Sequence, residues 1–163
     1  MRIELAAPTA EDTRAIAGAL AELLRAGDVV ALTGELGAGK TTFVQGAARA
    51  LEYPGAVASP TFTLVREYRT PSLRIVHADV YRLDRVQEVL DLGLQELLDE
   101  DGVLLVEWGD AVAEVLPGEP LVVELVVPRG TEERAISIRG GGDPWTARWE
   151  RLEQAVDPWR VGA

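Results

Sequence analysis

Gly34-Glu35-Leu36-Gly37-Ala38-Gly39-Lys40-Thr41 fits G-x-x-x-x-G-K-[ST], the phosphate-cradling P-loop pattern. Its glycines let the backbone turn tightly and aim N–H groups at an anion with no Cβ in the way. Lys40 supplies a point charge for β- and γ-phosphates, and Thr41 a hydroxyl for Mg²⁺. In the free protein Lys40 is expected to stand at least partly exposed in an empty phosphate cradle. The flanks are the ones this loop needs. Asp28 to Thr33 reads as a buried strand, and Thr41 to Leu51 as a helix whose N-terminal dipole strengthens the anion site. Lys and Arg together number 16, and Lys40 is the one lysine among them. A chain that otherwise uses Arg still places Lys where a compact ammonium is required.

Composition narrows the classes. The 163 residues suffice for one domain over 1–163, which would bury roughly 70% of its unfolded surface. No apolar run approaches the roughly 20 residues of a membrane span. Met1-Arg2-Ile3-Glu4-Leu5 has no signal-peptide core, and the cysteine count is 0, so disulfides and thiolate metal sites are ruled out. The expected location is cytoplasmic. A net charge of −11 argues against this chain being the main docking surface for a nucleic acid.

Working outward, Thr9 reads as an N-cap, with Asp12 three residues on. Ile16, Leu20, Leu23 and Leu24 follow at helical spacing, and Gly27 suits the left-handed position after a helix. Downstream of the loop, Ser59-Pro60-Thr61 is a loop, and Phe62 to Tyr68 alternates like a strand with one solvated face. Leu73 to Asp79 is a strand ending on a carboxylate. Asp84 to Asp101 reads as helical pieces broken near Gly93. Val103 to Val106, apolar on both faces, is a central parallel strand. It closes on Glu107, the place of a Walker B carboxylate that reaches Mg²⁺ directly or through water. Leu121 to Val127 and Arg134 to Arg139 form an antiparallel C-terminal ribbon. Trp145, Trp149, Leu152 and Val156 share one face of a last helix. The predicted architecture is α/β: a three-layer P-loop NTPase-type fold with a mainly parallel central sheet.

The chemistry concentrates on Lys40, Thr41, Asp79 and Glu107, expected at the carboxyl ends of the strands where open α/β sheets bind ligands. Lys40, Asp79 and Glu107 are the catalytic candidates; Thr41 offers a hydroxyl to the metal, and of the two carboxylates one can hold it while the other orients water. His77, the single histidine, shares a strand face with Asp79 and reads equally as structural or catalytic. Two other classes pair a P-loop with acidic strand ends. A small-molecule kinase needs an Arg-bearing lid, and no Arg-rich lid segment stands out. A GTP switch needs Asn-Lys-x-Asp, which a chain with its one lysine in the P-loop does not contain.

Four ordered segments together resemble the TsaE (YjeE) family: Gly34 to Phe43, Ser59 to Val65, His77-Ala78-Asp79-Val80-Tyr81-Arg82-Leu83, and Val106-Glu107-Trp108. The resemblance spans roughly 9 to 138. It implies the small ATPase of bacterial tRNA threonylcarbamoyladenosine (t6A) synthesis, binding ATP or ADP with Mg²⁺. It implies partnership with the transferase TsaD and its paralogue TsaB, with adenosine 37 of ANN-decoding tRNAs met only through that complex. The loop residues Glu35, Leu36, Gly37, Ala38, Gly39, Lys40, Thr41 and Thr42 would cradle the nucleotide. Thr41 and Glu107 would hold Mg²⁺, Asp79 would act near the γ-phosphate, and Ser59-Pro60-Thr61 would be a switch-like loop. Thr9 and Arg134 match positions near the base and ribose. One departure is visible: Gly109-Asp110 follows Glu107-Trp108, where the family commonly has Pro or Ser and then an acidic residue.

Overall fold

The structure is a computed structural model, and it describes residues 1–60, 65–80, 86–91 and 93–162. Thr61, Phe62, Tyr81 and Arg82, which figure in the motifs above, lie outside the described residues.

The elements in order are β1 (Arg2–Ala7), α1 (Ala10–Ala21), β2 (Val29–Thr33), α2 (Lys40–Ala50), β3 (Val65–Arg69), β4 (Arg74–Asp79), α3 (Val86–Asp91), α4 (Leu94–Leu97), β5 (Gly102–Glu107), β6 (Leu121–Val126), β7 (Arg134–Gly140), α5 (Gly142–Thr146) and α6 (Trp149–Ala155). A 3-10 segment, Gly109–Val115, follows β5. The strands form one sheet of 7 in the order β1-β7-β6-β2-β5-β4-β3. Its centre, β6-β2-β5-β4, is parallel, while β3 and the β7-β1 side run antiparallel. The parallel core and the β6–β7 ribbon match the sequence expectation. β1 does not figure in it: this strand pairs with β7 from the far end of the chain, so its partner is invisible to local pattern.

Alternation sorts the strands onto two buried faces, as a sheet covered on both sides requires. Val30, Leu32, Val103, Leu105 and Ile75 face α1, α2 and the C-terminal helices. Val29, Ala31, Leu104, Val106, Val76 and Ala78 face Leu94, Leu98, Val112 and Leu116. His77, Asp79 and Glu107 alternate with the second set, so they lie on the same side as the P-loop helix. The parallel register sets Asp79 opposite Glu107, and Glu107 opposite Leu32 at the end of β2. Both acidic side chains therefore finish beside the loop that leaves β2.

Two helices end differently from their sequence pattern. α1 stops at Ala21, because the Gly27 N–H donates to the Gly102 carbonyl (2.8 Å) and the Leu23 carbonyl accepts from Arg148 (2.8 Å). The last apolar stripe is divided between α5 and α6, yet Trp145, Trp149, Leu152 and Val156 are all buried as core. At that break Arg148 forks onto Asp28 (2.7 and 3.0 Å) and stacks 3.9 Å from the Trp145 ring centroid, tying the C-terminus to the start of β2.

α1 and α2 cross closely. A Cβ on Gly46 would run into the backbone of Arg14, carbonyl oxygen first. Gly46→Ala should therefore destabilise the fold by roughly 2 kcal/mol or more, an overpacking cost that neither helix backbone can relax away. Urea denaturation measures it.

Thr9 caps α1 in a reciprocal box: its hydroxyl accepts from the Asp12 N–H (3.1 Å), and Asp12 accepts from the Thr9 N–H (3.1 Å). The Thr9 hydroxyl, and next the Trp159 indole, hold the Asp12 carboxyl below its ordinary value of 3.8. A lowered folded-state pKa stabilises above the unfolded value and is lost as pH falls through the folded one. Thr9→Ala should cost about 1 kcal/mol at neutral pH. That cost should shrink in urea titrations run below 3.8.

Candidate functional site

The P-loop connects the buried end of β2 to α2. Gly34 has φ +140°, and a Cβ there would overlap the Leu125 carbonyl, so only glycine lets the loop leave β2 beside β6. Gly39, at φ +110°, serves as the N-cap of α2. The loop is braced from β7. Arg134 donates from Nε to the Ala38 carbonyl (2.8 Å) and from Nη2 to the Gly37 carbonyl (3.3 Å).

Lys40 is 4% exposed, which corrects the idea of a lysine standing open in an empty cradle. Its Nζ donates to the carbonyls of Gly34 (2.7 Å) and Glu35 (3.0 Å) and lies 3.7 Å from the Trp108 ring centroid. Burial pulls the ammonium below the ordinary lysine pKa, while the carboxylates of Glu107, Asp79 and Asp110 oppose that shift. The amine is satisfied and shielded by its own loop.

Thr41 and Glu107 meet directly. The Thr41 hydroxyl lies 3.0 Å from each carboxylate oxygen of Glu107. Glu107 is also in contact with His77, whose Nε2 is 2.5 Å from Oε2. Asp79 accepts from the Ser59 hydroxyl (2.7 Å), which joins Ser59 to the end of β4. A hydroxyl and a carboxylate side by side are the hard oxygen donors that suit Mg²⁺, which keeps several waters and shares phosphate oxygens.

Leu36, Gly37, Gly39, Lys40, Thr41, Thr42, Ser59, Asp79, Glu107 and Trp108 line one cleft of about 560 Å³. A second cavity of about 240 Å³ shares Gly39 and Thr42 with it and adds Thr9 and Arg134. Glu35 and Ala38 line neither of these, and instead border a third cavity with Thr33 and Glu124. Sequence reasoning missed three parts: the Arg134 brace on the loop carbonyls, the Trp108 ring over Lys40, and Tyr68, whose hydroxyl is 3.0 Å from His77 Nδ1. Only Tyr68 left a signal, since two-residue alternation in the sequence puts it with Phe62 and Leu64, on the face opposite Val65, Glu67 and Arg69.

Comparison with known proteins agrees with this geometry. A family profile described as threonylcarbamoyl adenosine biosynthesis protein TsaE matches residues 7–136. A Bacillus subtilis (strain 168) protein named tRNA threonylcarbamoyladenosine biosynthesis protein TsaE is 43% identical over 145 residues, covering 88% of this chain and 89% of its own. Its namesake from Mycobacterium bovis is 45% identical over 129 residues, 72% of this chain and 75% of its own. A crystal structure of Bacillus subtilis YdiB superposes with a TM-score of 0.81 at 36% identity, covering 94% of this chain and 95% of its own. With the family profile matching 7–136, 43% identity to a TsaE protein over 88% of the chain and a superposition at TM-score 0.81, this chain belongs to the TsaE family.

Proposed function

We propose that this chain is a Mg²⁺-dependent ATPase of tRNA t6A synthesis, acting in the cytoplasm on a TsaD–TsaB transferase complex that modifies adenosine 37 of tRNAs reading ANN codons. The t6A assignment follows its TsaE relatives. One juxtaposition carries the ATPase reading: Lys40, Thr41, Asp79 and Glu107 line the same cleft beside a helix N-terminus. No helix among the described residues is long and apolar enough to cross a membrane.

Each residue has a role in this reading. The loop N–H groups from Glu35 to Thr42 and the α2 dipole bind phosphate oxygens. Lys40 exchanges the Gly34 and Glu35 carbonyls for the β- and γ-phosphates, trading neutral acceptors for charged ones. Thr41 and Glu107 would hold Mg²⁺, which would supply positive charge beside the phosphates. Asp79, held by Ser59, orients the attacking water. Thr9 and Arg134, across Gly39 and Thr42 from the phosphates, face the ribose and base. Asp79 and Glu107 act through water and metal, whereas most affinity comes from the loop and Lys40.

Turnover should be slow for the chain alone and should rise with the transferase complex, because partners commonly complete the transition-state charges of P-loop domains. Reconstituted tRNA modification with and without this chain and ATP tests the proposal. It fails if modification is indifferent to both, or if calorimetry shows GTP binding as tightly as ATP.

Asp79→Ala should retain ADP binding while hydrolysis falls about 10²-fold or more, the usual loss for a group that handles the proton of the attacking water. Glu107→Ala should keep ADP binding and lose hydrolysis through the missing metal ligand. Single-turnover assays beside calorimetry measure the split, and wild-type turnover by Asp79→Ala would refute its role.

The burial of Lys40 sets a further expectation. Met1 is 56% exposed and Lys40 4%. An acylating reagent should therefore label the α-amine of the free protein well before the ε-amine. Mg-ATP should suppress the remaining Lys40 label and leave that of Met1 unchanged. Peptide mass spectrometry reads both sites at once.

A further inference from the structure

The proposed ATPase chemistry leaves His77 without a task, yet both of its ring nitrogens are engaged inside the protein. The ring is 0% exposed on β4. Nε2 lies 2.5 Å from Glu107 Oε2, and Nδ1 lies 3.0 Å from the Tyr68 hydroxyl. Tyr68, 3% exposed on the neighbouring edge strand, also lies 3.2 Å from the Ala58 carbonyl, one residue before the Ser59 that holds Asp79, so its one O–H has two acceptors in reach and the shorter contact is the one to Nδ1. Burial pushes the Tyr68 phenol above its ordinary pKa, so its proton stays on the oxygen as a donor. A carboxylate can only accept, so the nitrogen facing Glu107 carries a hydrogen. A ring whose one hydrogen sits on Nε2 leaves Nδ1 as an acceptor, and the Tyr68 O–H faces it.

We propose that Tyr68 and His77 are positioning residues for Glu107: His77 Nε2–H donates to Oε2, Tyr68 fixes that tautomer, and Oε1 is thereby left with the Thr41 hydroxyl to take the divalent cation. The inference rests on the Mg²⁺-nucleotide reading for what Glu107 does. The geometry is that of an outer partner which fixes a ligating carboxylate before the ion arrives. Without the imidazole, Glu107 keeps the Thr41 hydroxyl as a partner but loses the contact that distinguishes its two oxygens. The chain Tyr68–His77–Glu107 also ties the residue before Ser59 to the metal-facing carboxylate through side chains on β3, β4 and β5.

The chain contains a single histidine, so the imidazole signals in a ¹⁵N spectrum of uniformly labelled protein report this ring alone. Without ligand, the wild type should show Nε2 protonated and Nδ1 bare. Tyr68→Phe removes the donor to Nδ1 and should disturb this single-tautomer signal. Any wild-type spectrum with Nδ1 protonated overturns the assignment.

Mg²⁺ titrations of the ADP-loaded full chain provide the second readout. His77→Ala should weaken Mg²⁺ affinity about 10-fold or more, the usual loss for an outer-shell partner, with ADP affinity measured in EDTA unchanged. His77→Gln, whose amide N–H can reach Oε2, should recover most of that loss and keeps the site filled if the alanine variant does not fold. Wild-type Mg²⁺ affinity in both His77→Ala and Tyr68→Phe, or in Tyr68→Phe and His77→Gln with the tautomer unchanged by Tyr68→Phe, overturns the positioning role. An equal loss of ADP affinity in EDTA also overturns it, since that marks a merely structural defect. Failure of the wild type to bind Mg-ADP would instead overturn the nucleotide reading, and the ligand-free spectrum would still decide the hydrogen-bonding assignment.

Discussion

A buried ammonium is the constraint around which this site is built. Lys40 has lost nearly all its water, and an ion without water must find oxygen or π-electron partners inside the protein. The loop supplies them by folding back on itself, so that the carbonyls of Gly34 and Glu35 point inward at the amine. This inward turn requires the positive φ of Gly34 and its close approach to Leu125 on β6. The strand next to the loop thus belongs to the cradle as much as the loop does. Arg134 adds support on the other side by taking the Gly37 and Ala38 carbonyls.

The acidic side of the cleft answers the same charge. Glu107, Asp79 and Asp110 all favour the protonated lysine against its burial. Two of them are fixed by neighbours on separate elements: Glu107 by Thr41 and His77, Asp79 by Ser59. Carboxylates held in place in advance would reduce the ordering cost of binding a cation there. The parallel pairing of β4 with β5 makes this possible at low cost, because matched register ends both strands at the same level.

What could be read from sequence was whatever is encoded locally. The P-loop spells out its own geometry over eight residues, and β5 reads as buried on both faces before it reaches Glu107. The Thr9 cap and the inward tryptophans of the C-terminus are also short-range patterns. What escaped was decided by distant partners. β1 is a strand because β7 lies beside it, over 120 residues away in the chain, and α1 ends where Gly102 and Arg148 claim its next hydrogen bonds. The exposure of Lys40 was misjudged for the same reason: Trp108 covers it from β5. Arg134 could be placed near the nucleotide by resemblance, but its hold on the loop carbonyls depends on how β7 passes the loop.

The departure at Gly109 has a steric origin of its own. Trp108 sits at φ +65°, a conformation that a bulky residue adopts only when its surroundings impose it. This turn is what swings the indole back over Lys40 instead of onward along β5. The next residue must then pass directly over β2, where a Cβ at 109 would stand 2.5 Å from the Ala31 Cβ and 2.9 Å from its Cα. Glycine at 109 and alanine at 31 are therefore a matched pair, since a side chain at 109 would need less than a methyl beneath it. The strain at Trp108, the gap at Gly109 and the cover on Lys40 form one mechanical unit. Through it the carboxylate-bearing end of β5 is fastened to the phosphate loop from above, while Thr41 fastens it from the side.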